Sequence, residues 1–167
     1  MFRITHVLSI GPFATPERAE WLLARGVTHV LNVSDTRPIV GRAFRESAWV
    51  PLSDFRRIPT DSATEVLSTL HRMANEPDSH VYVHCMAGRQ RAPTVLWLYL
   101  LACGLGEMEA REINESRSPE ACAGYPRLID PELILHSQQL GLKSFLPLHR
   151  GEVLLPFANG EEPERFV

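Results

Sequence analysis

An α/β fold, a three-layer-like sandwich with a mostly parallel central sheet flanked by helices, is the class this sequence predicts, on three observations. β-Rich segments alternate with helices that carry their own capping signals along most of the chain. The segment Val27–Val33 (VTHVLNV) is β-branched and apolar in the manner of a strand buried on both faces. The stretch Val95–Cys103 is apolar nearly all round, as a helix at the centre of a soluble domain is.

Taken in order, Phe2–Ile10 alternates loosely and reads as a strand. Thr15-Pro16-Glu17 supplies an N-cap, a proline for the first helical position and an early acid, with Gly26 beyond the end, so a helix is expected over Pro16–Arg25. The strand Val27–Val33 follows, then a polar loop from Asp35 to Glu46, then a short strand over Ala48–Leu52. Ser62 with Glu65 has the spacing of a capping box and opens a helix expected to reach about Asn75. After Glu76-Pro77-Asp78 comes a strand at His80–Val83, then a helix over Pro93–Cys103 stopped by Gly104. Glu107–Arg117 reads as an amphipathic helix, and Asp130-Pro131-Glu132 opens another that Gly141 closes. Residues 1–141 are expected to form one domain, with 142–167 as a tail packed on it. Trp21, Trp49 and Trp97 lie on apolar faces and are expected in the core; Arg56 and Arg57 read as a solvated patch.

The chain has 167 residues and a net charge of -3, which turns the expectation away from nucleic acid and anionic membranes. Cys85, Cys103 and Cys122 are too few and too scattered for a disulfide framework or a C-x-x-C metal site, so no metal or cofactor and a reducing, cytoplasmic setting are expected. Cys103 and Cys122 read as packing residues. The first 14 residues lack a signal-peptide pattern, and no apolar run approaches the roughly 20 residues of an integral membrane segment.

The chemistry gathers at one junction. Between the strand at His80–Val83 and the helix from Pro93 lies His84-Cys85-Met86-Ala87-Gly88-Arg89-Gln90-Arg91. In a tight strand-to-helix turn, successive backbone N–H groups point inward and the helix dipole adds positive potential, making an anion cradle from Met86 to Arg91. Gly88 lets the turn close. Such a nest favours a sulfur anion, the reactive form of Cys85, and phosphorus is a good electrophile for it. Arg91, six residues on, offers a planar fork of donors for two phosphate oxygens.

The run His84–Arg91 resembles the signature loop of the protein tyrosine phosphatase superfamily, in its dual-specificity branch. Ile10-Gly11, Gly26–Val33 and Val50-Pro51-Leu52-Ser53-Asp54 are similar to that branch in order and spacing, and the likeness spans about residues 2 to 140. It implies hydrolysis of phosphate monoesters through a phosphocysteine on Cys85, with Arg91 as clamp, His84 behind the loop and Asp54 as general acid. Asp35, also after a strand end, competes for the acid role. One position departs from the family pattern: Ala92 stands where a serine or threonine usually follows the arginine and bonds the sulfur. Its loss should slow breakdown of the phosphoenzyme, unless Thr94 substitutes. Plant glucan phosphatases of the branch are similar in carrying an Arg-Ala-Pro run.

The implied substrate is a phosphorylated protein, with phosphotyrosine alone or together with phosphoserine and phosphothreonine, or a small phosphate ester. Arg89, a second cation in the loop, resembles lipid phosphatases of the superfamily and keeps a lipid or other non-protein phosphate as an alternative. A catalytically slow phosphate-binding relative and a rhodanese-like sulfurtransferase are the remaining readings.

Overall fold

The computed structural model describes residues 1–40 and 43–142. Within them run β1 (Phe2–Arg3), β2 (Leu8–Gly11), α1 (Pro16–Leu23), β3 (His29–Asn32), β4 (Glu46–Trp49), α2 (Thr60–Ala74), β5 (Val81–His84), α3 (Arg91–Ala102), α4 (Glu107–Arg117) and α5 (Pro131–Gln139). The sheet order is β1-β2-β5-β3-β4. β2, β5, β3 and β4 are mutually parallel, and β1 alone is antiparallel, as a hairpin partner of β2.

Alternation along the strands builds two cores. Val81 and Val83 of β5 point with Leu31 of β3 into the larger one, under α2 to α5. Tyr82 and Val30, paired in register, point the other way and meet Ala19 and Leu22 of α1 with Val27, Val40 and Phe44. The result is the three-layer arrangement expected. All twelve residues of α3 are buried, each fully buried Leu or Val contributing roughly 1.5–3 kcal/mol. Trp97 in this helix satisfies its indole N–H on the Glu107 carbonyl at 3.0 Å.

Thr15 caps α1 by accepting the Arg18 N–H at 3.3 Å, and Asp130 caps α5 by accepting the Leu133 N–H at 2.8 Å. Elsewhere the boundaries differ from expectation for identifiable reasons. The first strand is two: Thr5 turns the chain, its hydroxyl accepting the Leu8 N–H at 3.1 Å, so Phe2–Arg3 folds back on Ser9–Ile10. β4 lies two residues earlier than Ala48–Leu52. It is an edge strand, so polar Glu46 and Ser47 suit it, and Pro51 adds no ladder donor. α2 begins at Thr60, after Pro59, and Ser62 lies inside the first turn without capping it. α3 begins at Arg91, putting Pro93 third in the helix, where no i–4 partner is lost. Of the tryptophans, only Trp97 is fully in the core. Trp21 is half-buried, and Trp49 on the edge strand is 37% exposed, its indole N–H donated to the Ser34 carbonyl at 2.9 Å. Arg57 is no simple solvated residue: it ion-pairs with Asp130 at the start of α5.

The expected tail lies outside the described residues from 143 onward. Leu142 donates its backbone N–H to the Ala102 carbonyl at 2.8 Å, so the described chain ends against the C-terminus of α3.

Candidate active site

β5 lies between β2 and β3, so the loop that leaves it at His84 emerges at the carboxyl end of the parallel sheet, the usual place for ligand crevices in such folds. Three neighbours shape it. The Val33 N–H donates to the His84 carbonyl (2.8 Å), the Phe13 N–H to the Met86 carbonyl (3.0 Å), and the Cys122 N–H to the Arg89 carbonyl (2.8 Å). Gly88 has φ +74, and a Cβ there would sit 2.5 Å from the carbonyl carbon of Gly11. Gly11 in turn leaves room for the Tyr82 hydroxyl, which donates to the Pro12 carbonyl at 2.6 Å. The two glycines let the signature loop lie directly on the β2–α1 turn.

Cys85 is 3% exposed, and its Sγ accepts the Gly88 N–H at 3.3 Å. Arg91, the first residue of α3 and also 3% exposed, donates from Nη1 to Asp35 Oδ1 (2.9 Å) and to the Leu52 carbonyl (3.0 Å). Its Nη2 lies 3.5 Å from Asp54 Oδ2. Asp54, Phe55, Cys85, Met86, Ala87, Arg89, Gln90 and Arg91 line one cleft of about 210 Å³. The nucleophile, acid and clamp expected from sequence are therefore brought together, with Met86, Ala87, Arg89 and Gln90 around them. Gly88 lies beneath, its N–H turned to the sulfur.

His84 is buried behind the loop between Tyr82 (stacked, 5.7 Å) and Phe13 (edge-on, 5.2 Å). Burial pushes its pKa down to about 4, so the ring is neutral at pH 7. Its Nδ1 is 3.4 Å from the Cys85 carbonyl, which places it as a prop for the cysteine backbone. Asp35 is held below the usual carboxylate range by its hydrogen bond from Arg91. Arg89 reaches Glu120 at 2.8 Å, so its charge at the rim is locally balanced.

Thr94 does not replace the missing hydroxyl at Ala92. Its Oγ1 accepts the Tyr125 N–H at 3.0 Å and donates to the Cys122 carbonyl at 3.4 Å. It thereby fastens the connection between α4 and α5, which also touches the segment that carries Asp54. Leu128 accepts the Ile58 N–H at 2.8 Å, and Tyr125 meets Phe55 edge-on at 6.3 Å. Phe55, 51% exposed and in the left-handed region at φ 54, has Arg127 over its ring. Composition alone did not single out Phe55, Glu120 or the occupied state of Thr94, because each depends on long-range contacts.

Away from the cleft, His29, Glu46 and Glu76 are the one group among the described residues close enough to hold a metal ion. Arg72 already pairs with both carboxylates, and His29 Nε2 lies 2.9 Å from Glu76, so the group reads as an ion-pair network. Cys85, Cys103 and Cys122 are free thiols. Burial pushes the Cys103 thiol up to about 11, which fits a packing role. None of the described helices is long and apolar enough to cross a membrane.

Compared with known proteins, residues 6–139 match the model described as the DSP-PTPase phosphatase domain of Swiss Army Knife proteins (PTP-SAK). Protein-tyrosine-phosphatase IBR5 of Arabidopsis thaliana is 30% identical over 95 residues, 56% of this chain and 34% of that one. The chain thus spans about a third of the length of this curated relative. Among solved structures, PTPMT1 is 18% identical with a TM-score of 0.68, covering 86% of this chain and 97% of that one; it has also been solved with PI(5)P. Human DUSP28 is 21% identical with a TM-score of 0.65, covering 84% of this chain and 95% of that one. At these identities the structural likeness speaks for the fold.

Proposed function

The chain belongs to the DSP-PTPase family of cysteine-based phosphatases, and from that premise we propose that Cys85, Arg91 and Asp54 carry the hydrolysis of phosphate monoesters. One observation carries this reading: a buried thiol that accepts a loop amide shares its cleft with a buried guanidinium, and a carboxylate lies 3.5 Å from that guanidinium.

The phosphoryl group sits in the loop with its oxygens on the backbone N–H groups and on Arg91, whose charge offsets the charge of the transition state. Cys85 sulfur attacks phosphorus as the ester P–O bond breaks, and Asp54 gives its proton to the departing oxygen. In the second half, the Asp54 carboxylate takes a proton from water. The resulting hydroxide attacks phosphorus, the S–P bond breaks, and phosphate leaves with Cys85 restored as thiolate.

Phosphotyrosine in proteins, with or without phosphoserine and phosphothreonine, is the substrate class we favour. The mouth of the cleft carries exposed Phe55 and Met86, apolar surface for a ring or a side-chain stem, and Arg89 is paired with Glu120. A headgroup with several phosphates would have to displace that pairing. PTPMT1, solved with PI(5)P, keeps the lipid alternative in the test. The three free cysteines support a reducing, cytoplasmic setting.

A second reading, a slow enzyme that retains its phosphate, is favoured by Ala92 together with the commitment of Thr94 to Cys122 and Tyr125. Rapid-mixing hydrolysis of para-nitrophenyl phosphate by wild type, Cys85→Ser and Asp54→Asn decides between them. A burst followed by turnover, lost in Cys85→Ser and reduced in Asp54→Asn, is expected. A stoichiometric burst with negligible turnover would favour the second reading, and full activity of Cys85→Ser would refute both. Phosphotyrosyl peptides, phosphoseryl peptides and PI(5)P vesicles, each under the same conditions, rank the substrates.

A further inference from the structure

The Arg91 guanidinium has five N–H donors, and both on Nη1 are taken, one by Asp35 Oδ1 at 2.9 Å and one by the Leu52 carbonyl at 3.0 Å. We propose that Asp35 is a positioning residue for Arg91: with the Leu52 carbonyl it holds Nη1 and leaves the Nε–Nη2 edge as the fork that grips phosphate. This deepens the phosphatase reading and rests on it.

The sequence around Asp35 is built for such a hold. β3 pairs with β5, Asn32 lying opposite His84, so the turn after β3 leaves the sheet beside the signature loop. That turn is knotted by buried polar groups. Asn32 Oδ1 accepts from the Ser34 N–H (2.9 Å) and the Ser34 hydroxyl (2.7 Å), while Asn32 Nδ2 donates to the Thr36 carbonyl (2.8 Å). Trp49 Nε1–H closes the outer side on the Ser34 carbonyl at 2.9 Å. Asn32 and Ser34 are fully buried, and buried polar groups satisfied in this way give a turn little freedom. Asp35 is the residue the knot presents, and its carboxylate meets a guanidinium that is 3% exposed. A buried arginine fork pre-set in one rotamer loses less entropy when it binds a bidentate oxyanion.

The geometry also separates Asp35 from Asp54. Asp54 lines the cleft, whereas Asp35 is on the far nitrogen of the same group. An acid must reach the leaving oxygen; a positioning carboxylate must not. Asp35 therefore acts equally on every substrate, whatever its leaving group.

The test compares Asp35→Ala and Asp35→Asn with wild type, reading vanadate binding by titration calorimetry and kinetics on para-nitrophenyl and phenyl phosphate. Asp35→Ala is expected to weaken vanadate about tenfold and to lower kcat/KM by a similar factor on both esters. Asp35→Asn keeps an oxygen acceptor for Nη1 and is expected to recover most of the loss. Asp35 is 58% exposed but its partner guanidinium is 3% exposed, so Asp35→Ala is expected to lower the melting temperature modestly and Asp35→Asn less. Three results would overturn the proposal: unchanged or tighter vanadate binding in Asp35→Ala, as for a carboxylate that merely competes with phosphate; a loss confined to phenyl phosphate, as for a general acid; or no recovery in Asp35→Asn. A wild type that binds vanadate without turnover would sink the catalytic reading while the vanadate comparison still judges Asp35. A wild type that binds no vanadate would overturn both.

Discussion

Replacing Gly88 with alanine tests whether the signature loop works by lying against the β2–α1 turn. Two penalties add. The backbone there has φ +74, a region where an L-residue with a Cβ is disfavoured by roughly 1–2 kcal/mol. The new methyl would also stand 2.5 Å from the Gly11 carbonyl carbon, 2.7 Å from its oxygen and 2.8 Å from Pro12 N. Normal carbon contacts are about 3.5–4.0 Å, and all three atoms are backbone, so the loop itself must retreat by about 1 Å. A displacement of that size at a reacting centre lowers rate by about 100-fold. Circular dichroism melting should show a fall of at least roughly 2–8 °C from the backbone penalty alone, taking about 2–4 °C per kcal/mol for a chain of this size. Steady-state hydrolysis of para-nitrophenyl phosphate should show kcat/KM down about 100-fold, with vanadate binding weakened in parallel. A Gly88→Ala enzyme that melts and turns over like wild type would refute the close-approach reasoning.

Other expectations concern the groups around this loop. Ala92→Ser should restore a hydroxyl near the sulfur and speed phosphoenzyme breakdown several-fold, read as a faster steady state after an unchanged burst; an unaltered steady-state rate would contradict it. Thr94→Val should strand the Tyr125 N–H and lower stability by roughly 1–3 kcal/mol in denaturant titration, while leaving the ratio of burst to turnover alone. His80 and His84 both have folded-state pKa values pushed down to about 4 by burial. The unfolded chain therefore binds more protons between pH 6.5 and 4, and stability falls as pH drops through that window, by up to about 3 kcal/mol for each histidine. His80→Gln, which keeps a polar partner for the Ser9 hydroxyl now 2.7 Å from the ring, should flatten the slope of melting temperature against pH; an unchanged slope would rule His80 out.

Local patterns made much of this molecule legible. The caps at Thr15 and Asp130 are short-range chemistry, and the cysteine loop is legible as a contiguous eight-residue run, although Val33, Phe13, Cys122, Asp35 and Leu52 hold it in place. What resisted reading was set across the sheet. Glu46 and Ser47 look like loop residues until β4 is known to be an edge strand paired with β3. Ser62 and Glu65 have capping spacing, yet Pro59, whose ring excludes the preceding residue from helix, takes the N-cap position three residues earlier. Thr94 seemed free to serve the sulfur because its real partners lie 28 and 31 residues away. Asp35 and Asp54 both follow β-rich segments and look alike in one dimension; only the two ends of the Arg91 guanidinium tell them apart.

The connection between α4 and α5 supplies none of the residues that line the cleft, yet it touches both halves of it: the signature loop through Cys122 and Arg89, the Asp54–Ile58 segment through Leu128 and Ile58 and through Tyr125 and Phe55. Its contacts tie together two parts that the chain makes separately. Changes of length or stiffness in residues 118–130 are expected to alter the gap between Asp54 and the Cys85 sulfur, the acid and nucleophile proposed above, while leaving both side chains intact. On the proposed roles, the spacing of the reacting groups and the groups themselves thus belong to different stretches of the chain, and the first could drift or be engineered without touching the second.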